Sequence, residues 1–159
     1  MFHQAHYQGT REQNYELVVQ QLKALLDGES DRIANLSNAS ALLNQFLDRI
    51  NWVGFYLYKD GELVLGPFQG LPACVRIPLS RGVCGKSASD RATVRVPNVH
   101  AFPGHIACDA ASRSEIVIPL LVDGELLGVL DIDSPELDRF DEVDQRGLEA
   151  FVAELCAAL

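Results

Sequence analysis

Apolar positions along the chain alternate between helical and strand spacing, and each change of period predicts an element. From Glu12 the residues Tyr15, Val18, Val19, Leu22, Leu25 and Leu26 recur three and four apart, which predicts a first helix to about Asp27. Gly28 ends it, and Ser30 or Asp31 is placed to cap a second helix on which Ile33, Leu36, Leu43, Phe46, Leu47 and Ile50 continue the same kind of stripe. At Asn51 the texture changes. Trp52 to Tyr58 is aromatic and β-branched, Asp60-Gly61 is a hairpin signal, and Glu62 to Phe68 returns as a second strand. Val75 to Leu79 and Thr93 to Val96 read as short strands on either side of a short, small-residue helix, Gly82 to Asp90.

Asn98 to Arg113 has no period, and at about 16 residues it is long for a plain connection, which marks it as a place to look for chemistry. Glu115 to Val122 and Glu125 to Asp133 form a second hairpin about Asp123-Gly124, stopped by Ser134 and Pro135. A last helix starts near Asp141, carries Val143 and Asp144 in its first turn, and lays down Leu148, Phe151, Val152, Leu155 and Leu159. Successive hairpins leave no room for parallel crossovers, so the expected class is α+β, with a largely antiparallel sheet flanked by helices. Residues 1–11 carry no period and are expected to be a flexible segment ahead of one domain, residues 12–159.

Composition narrows the function. At 159 residues the chain suits a single core, and its 48% apolar and 22% charged residues are ordinary for a globular domain. Thirteen basic against 22 acidic residues give a net charge of −9, which repels phosphate backbones and anionic lipid, so neither nucleic acid nor a membrane is an expected partner. No apolar run approaches the ~20 residues of a membrane span, and no charged segment leads into an apolar one at the start, so a cytoplasmic location is expected.

Four cysteines are few for a disulfide scaffold. Cys156 lies beside the apolar stripe of the last helix and reads as a small hydrophobe, whereas Cys74, Cys84 and Cys108 stand on or beside loops among small and polar residues, an exposure that suits working thiols. Nine residues separate Cys74 from Cys84 and 23 separate Cys84 from Cys108, so no pair has the close spacing of structural zinc. His100, His105, Cys108 and Asp109 remain a weak alternative set of metal ligands on one loop. The sharper reading is redox chemistry, in which one thiolate is oxidised and a second cysteine captures it as a disulfide.

Asp131 and Asp133 lie two apart on a strand and therefore share a face, opposite to Leu130 and Ile132. Two like charges side by side call for a cation, a donor or a shared proton, unless they sit at a solvated strand end. Glu115 opens the partner strand. An ideal hairpin pairs Val122 with Glu125 and so sets Glu115 opposite Ile132, on the wrong face to join the aspartates. A bulge reverses this, and Pro119, which cannot donate to the ladder, is where one is expected. Trp52 and Tyr56, four apart on the first strand, face one side and offer an apolar wall with polar edges. Gly82-x2-Gly85-Lys86-Ser87 is too short for a phosphate-binding loop of the Walker type.

Assembled, these residues resemble the free methionine-R-sulfoxide reductases, single-domain GAF proteins, over about Tyr15 to Leu155. The resemblance rests on Asn51-Trp52-Val53-Gly54-Phe55-Tyr56, Gly66-Pro67-Phe68-Gln69-Gly70, Gly82-Val83-Cys84-Gly85, Val96-Pro97-Asn98-Val99, Ser112-Arg113-Ser114-Glu115-Ile116-Val117-Ile118-Pro119 and Leu130-Asp131-Ile132-Asp133-Ser134. It implies that Cys108 is the catalytic cysteine, with Cys74 and Cys84 in resolving or auxiliary roles and Cys74 the usual disulfide partner. It further implies that Glu115, Asp131 and Asp133 form an acidic pocket walled by Trp52 and Tyr56, with Glu115 the candidate acid and the aspartates the candidate hold on the substrate amine. The resemblance also implies recycling by thioredoxin, a homodimer, and no metal or organic cofactor. A GAF sensor that binds a small molecule without turnover, or a thiol redox sensor, remains the alternative.

Overall fold

The computed structural model describes residues 2–106 and 108–159. Helices α1 (Arg11–Leu26) and α2 (Arg32–Phe46) lead into strands β1 (Trp52–Lys59), β2 (Glu62–Gly70) and β3 (Arg76–Pro78). Then follow α3 (Gly82–Asp90), β4 (Val94–Val96), a single 3-10 turn at Val99–Ala101, β5 (Ser114–Val122), β6 (Glu125–Ser134) and α4 (Glu142–Cys156). The six strands form one sheet in the order β3-β2-β1-β6-β5-β4, with every neighbouring pair antiparallel. No helix among the described residues is long and apolar enough to cross a membrane.

The period-two alternation of the strands divides the interior into two apolar layers. Val53, Phe55 and Leu57 of β1, Ile116 and Ile118 of β5, and Leu130 and Ile132 of β6 pack against α1, α2 and α4. On the opposite face Trp52 and Tyr56, Val117 and Val129 pack with Val83, Cys84 and Ala88 of α3. The larger layer is closed at one end by a buried ionic knot. Asp144 accepts from the Tyr15 hydroxyl at 2.7 Å and from Arg139 Nη1 at 3.2 Å, and also meets Arg11 at 3.1 Å, which ties α1 to α4. Ahead of α1, the Tyr7 ring packs edge-on to Phe46 at 4.8 Å and its hydroxyl donates to Gln21.

Caps account for the helix starts. Thr10 and Gln13 form a capping box at α1, Asp31 rather than Ser30 caps α2, and Asp141 with Asp144 caps α4. The ends fall short of the apolar stripes. α2 stops at Phe46, because the chain turns through a left-handed Arg49 before Ile50, and α4 stops at Cys156, although Leu159 still packs on the core.

The register of the second hairpin is the fold's main contribution to the site. From the turn, Val122 pairs with Glu125 and Leu121 with Leu126, but Leu120 pairs with Gly128, so Leu127 is an extra residue on β6. The slip brings Glu115 opposite Asp133. The expected bulge is therefore present but lies one step from Pro119, which stays in register with Val129. Pro119 stands beyond the stretch that β4 pairs, where its missing N–H costs the ladder nothing.

Candidate active site

Three central strands build the floor of a cleft on the α3 side of the sheet. Asp133 lies between Trp52 of β1 and Glu115 of β5, and Asp131 between Gly54 and Val117, so both aspartates and Glu115 point to the face that carries Trp52 and Tyr56. Glu115 and Asp131 are each only 6% exposed. α3 roofs this floor with Gly82, Val83 and Cys84, and the two segments that carry Cys74 and Cys108 form the mouth.

Side-chain hydrogen bonds anchor both of those segments to the sheet. Trp52 Nε1 donates to the Leu71 carbonyl at 3.1 Å and the Tyr56 hydroxyl to the Cys74 carbonyl at 2.8 Å, so the stacked rings, 5.8 Å apart, also hold the chain leading into Cys74. Asn51 Nδ2 donates to Asp109 Oδ2 at 2.9 Å and to Ser112 Oγ at 3.0 Å, and the Gly82 amide donates to the Gly104 carbonyl at 3.1 Å. Between the two segments Cys74 and Cys108 are joined by a disulfide with their Cα atoms 5.6 Å apart. Both partners are half-buried at the mouth of the cleft.

Cys84 differs from the expectation of an exposed thiol. It is 4% exposed, because the expected short helix of small residues is pressed onto the sheet, and its Sγ lies 4.0 Å from Glu115 Oε1. Gly85 lets α3 lie close against the end of β3, since a Cβ there would lie 2.8 Å from the Pro78 carbonyl oxygen. Burial, with the negative field of Asp131 and Glu115 added, pushes the Cys84 thiol well above its ordinary range and keeps it protonated.

The acidic floor holds protons. Burial first, and the neighbouring Asp131 and Asp133 next, hold the Glu115 carboxyl well above the carboxylate range. Asp133 is raised in the same way by burial, Asp131 and Asp109. Asp131 is raised by burial too, but hydrogen bonds to it from Glu115 and Cys84 oppose the shift. Asp131 is thus the member best able to carry negative charge, and its Oδ1 is buried with no hydrogen-bond partner. An acceptor of this kind on a cleft floor suits a cationic donor.

His105 also lines the cleft, and burial and the nearby His100 lower its pKa. Among the described residues, the set gathered within ligand distance is Cys84, Glu115 and Asp131, not the loop set of His100, His105, Cys108 and Asp109. Trp52, Tyr56, Cys84, Cys108, Glu115, Asp131 and Asp133 meet at this cleft, with Cys74 joined to it through the disulfide. Sequence reasoning missed the clamp from Asn51 to Asp109 and Ser112. Its only signal was Asn51 opening the Asn-Trp-Val-Gly-Phe-Tyr motif, while its partners lie 58 and 61 residues away.

Residues 11–159 match the model of the GAF domain. The chain belongs to the GAF family. It is 56% identical to Protein YtsP of Bacillus subtilis over 161 residues, covering all of this chain and 99% of that protein. It is also 56% identical to the free methionine-R-sulfoxide reductase of Escherichia coli over 132 residues, 83% of this chain and 80% of the relative. The crystal structure of the Neisseria meningitidis free methionine-R-sulfoxide reductase with its substrate superposes with a TM-score of 0.94 at 43% identity, over 99% of this chain and 95% of that one. Within the GAF family the chain thus stands with the free methionine-R-sulfoxide reductases.

Proposed function

We propose that this GAF protein reduces free methionine-R-sulfoxide to methionine, with Cys108 as nucleophile and Cys74 as the resolving cysteine. The carrying observation is the disulfide between Cys74 and Cys108 at the mouth of a cleft floored by three carboxyls, of which Glu115 and Asp131 are buried. The Cys108 thiolate attacks the sulfoxide sulfur while Glu115, held protonated by its surroundings, gives its proton to the sulfoxide oxygen. The oxygen passes to the Cys108 sulfur as a sulfenic acid and methionine leaves. The Cys74 thiol then displaces that oxygen as water, forming the disulfide. Two thiols are oxidised and one sulfoxide is reduced.

Asp131 and Asp133 supply oxygens for the substrate ammonium, a charge that a peptide-bound methionine lacks, and Trp52 and Tyr56 wall the apolar part. We further propose thioredoxin as the reductant of the disulfide, and a cytoplasmic homodimer as the working form.

NADPH consumption with thioredoxin and thioredoxin reductase tests this reading on free methionine-R-sulfoxide, its S isomer and an N-blocked R-sulfoxide. Turnover of the free R isomer alone, abolished in Cys108→Ser, is the expected result. No turnover with either thioredoxin or dithiothreitol would leave a non-catalytic GAF sensor as the reading.

A further inference from the structure

Cys84, Glu115 and Asp131 bring one sulfur and two carboxylate oxygens within 4.8 Å of one another, from three separate elements, α3, β5 and β6. All three side chains are buried, and Asp131 Oδ1 has no protein partner. An ammonium group would use the oxygens of this set but has no use for the sulfur. The sulfur is what narrows the class of ligand. One thiolate with two carboxylates suits a borderline divalent cation of tetrahedral habit, whereas magnesium and calcium demand six or more oxygens.

We propose that the reduced chain binds one zinc ion on Cys84, Glu115 and Asp131, with the fourth position open to the cleft. Tetrahedral zinc, with bonds of about 2.0 to 2.3 Å, sets its ligands about 3.5 Å apart, so the present set must contract by little more than a side-chain adjustment. The ligands give up their protons to water on binding. The ion enters by the cleft mouth between the Cys74 and Cys108 segments. Its occupancy would exclude the substrate ammonium from Asp131, making zinc a competitive inhibitor. That consequence alone rests on the function proposed above; the binding site does not.

Cobalt titration of the full-length Cys74→Ser/Cys108→Ser double variant tests the site, because Cys84 and Cys156 are then the only thiols and no disulfide can form. The expected result is a thiolate-to-cobalt charge-transfer band saturating at one equivalent, displaced by zinc and untouched by excess magnesium. Adding Cys84→Ser abolishes the band. Adding Asp131→Asn instead weakens affinity by about a hundredfold, the upper end of what even indirect ligand partners cost. Circular dichroism confirms that each variant is folded. Absence of the band in the double variant, or its survival in folded Cys84→Ser, overturns the proposal whether or not the protein reduces sulfoxides.

Discussion

The hydroxyl of Tyr56 donates a 2.8 Å hydrogen bond to the backbone carbonyl of Cys74, so a ring on the cleft wall also fixes the segment that carries one of the disulfide partners. Burial and the nearby acidic groups raise the Tyr56 pKa, which keeps that donor protonated. Tyr56→Phe keeps the ring and removes only this tether. A lost hydrogen bond of about 1 kcal/mol corresponds to a several-fold effect, and it should fall on the step that closes the disulfide. In single-turnover experiments, methionine release should keep its rate while disulfide formation slows about fivefold.

Glu115 is a carboxyl kept protonated by burial and by the aspartates beside it. As the proposed acid it would work below its own raised pKa, so activity should fall as pH rises through that value. Glu115→Gln should lower the rate of methionine formation by about a hundredfold or more, in line with loss of a general acid, and should remove this alkaline limb from the pH profile. An unchanged limb in the variant would assign it to another group.

The same raised carboxyls weaken the fold at neutral pH. A group whose folded pKa exceeds its unfolded value binds more protons when folded, so stability is greatest below the unfolded pKa and declines as pH rises towards the folded one. Asp133→Asn removes one such group. Its melting temperature should match that of the parent near pH 4 and exceed it increasingly towards pH 8, while affinity for free methionine sulfoxide drops. Thermal melts across that range, with substrate titrations, measure both.

Much of this arrangement was legible in the sequence because strands have a period of two. Leu130 and Ile132 had to oppose Asp131 and Asp133, and Trp52 and Tyr56 had to share a side, and the core layers follow that division. The place of Glu115 was legible only as a conditional, since one extra residue decides its face; that residue is Leu127, which nothing in the local sequence marks. The burial of Cys84 was not legible at all. Gly82 to Asp90 reads as a short helix, but nothing local shows which of its faces meets the sheet, and the contacts of Cys84 and Asn51 join parts of the chain too far apart for any local pattern to connect.

Away from the cleft, Asp144 carries the junction of the two terminal helices. It is 3% exposed and accepts from both Tyr15 and Arg139, and Arg139 is itself only 8% exposed. Asp144→Ala would leave the buried guanidinium with only the exposed Asp48 as counter-charge and a buried hydroxyl without its acceptor. The expected loss is about 3 kcal/mol of unfolding free energy in urea, with catalytic rate per folded molecule retained.

The two cysteines nearest the cleft besides Cys108 can be separated by mass. Cys74 already bonds to Cys108, while Cys84 is buried, protonated and packed under the sheet, where a thiolate is disfavoured. One equivalent of methionine-R-sulfoxide added to reduced Cys74→Ser should therefore yield one methionine per chain and stop at a sulfenic acid that a dimedone probe traps on Cys108. Reduced Cys84→Ser under the same conditions should lose two hydrogens and form the bond between Cys74 and Cys108, found as a linked peptide pair after digestion. A bond between Cys84 and Cys108 in the Cys74→Ser chain would instead require α3 to leave the sheet during turnover. Hydrogen exchange at Ser87 and Ala88, whose amides lie within the hydrogen-bonded body of α3, would then rise in the oxidised variant, whereas a resolving role confined to Cys74 leaves those amides protected in every redox state.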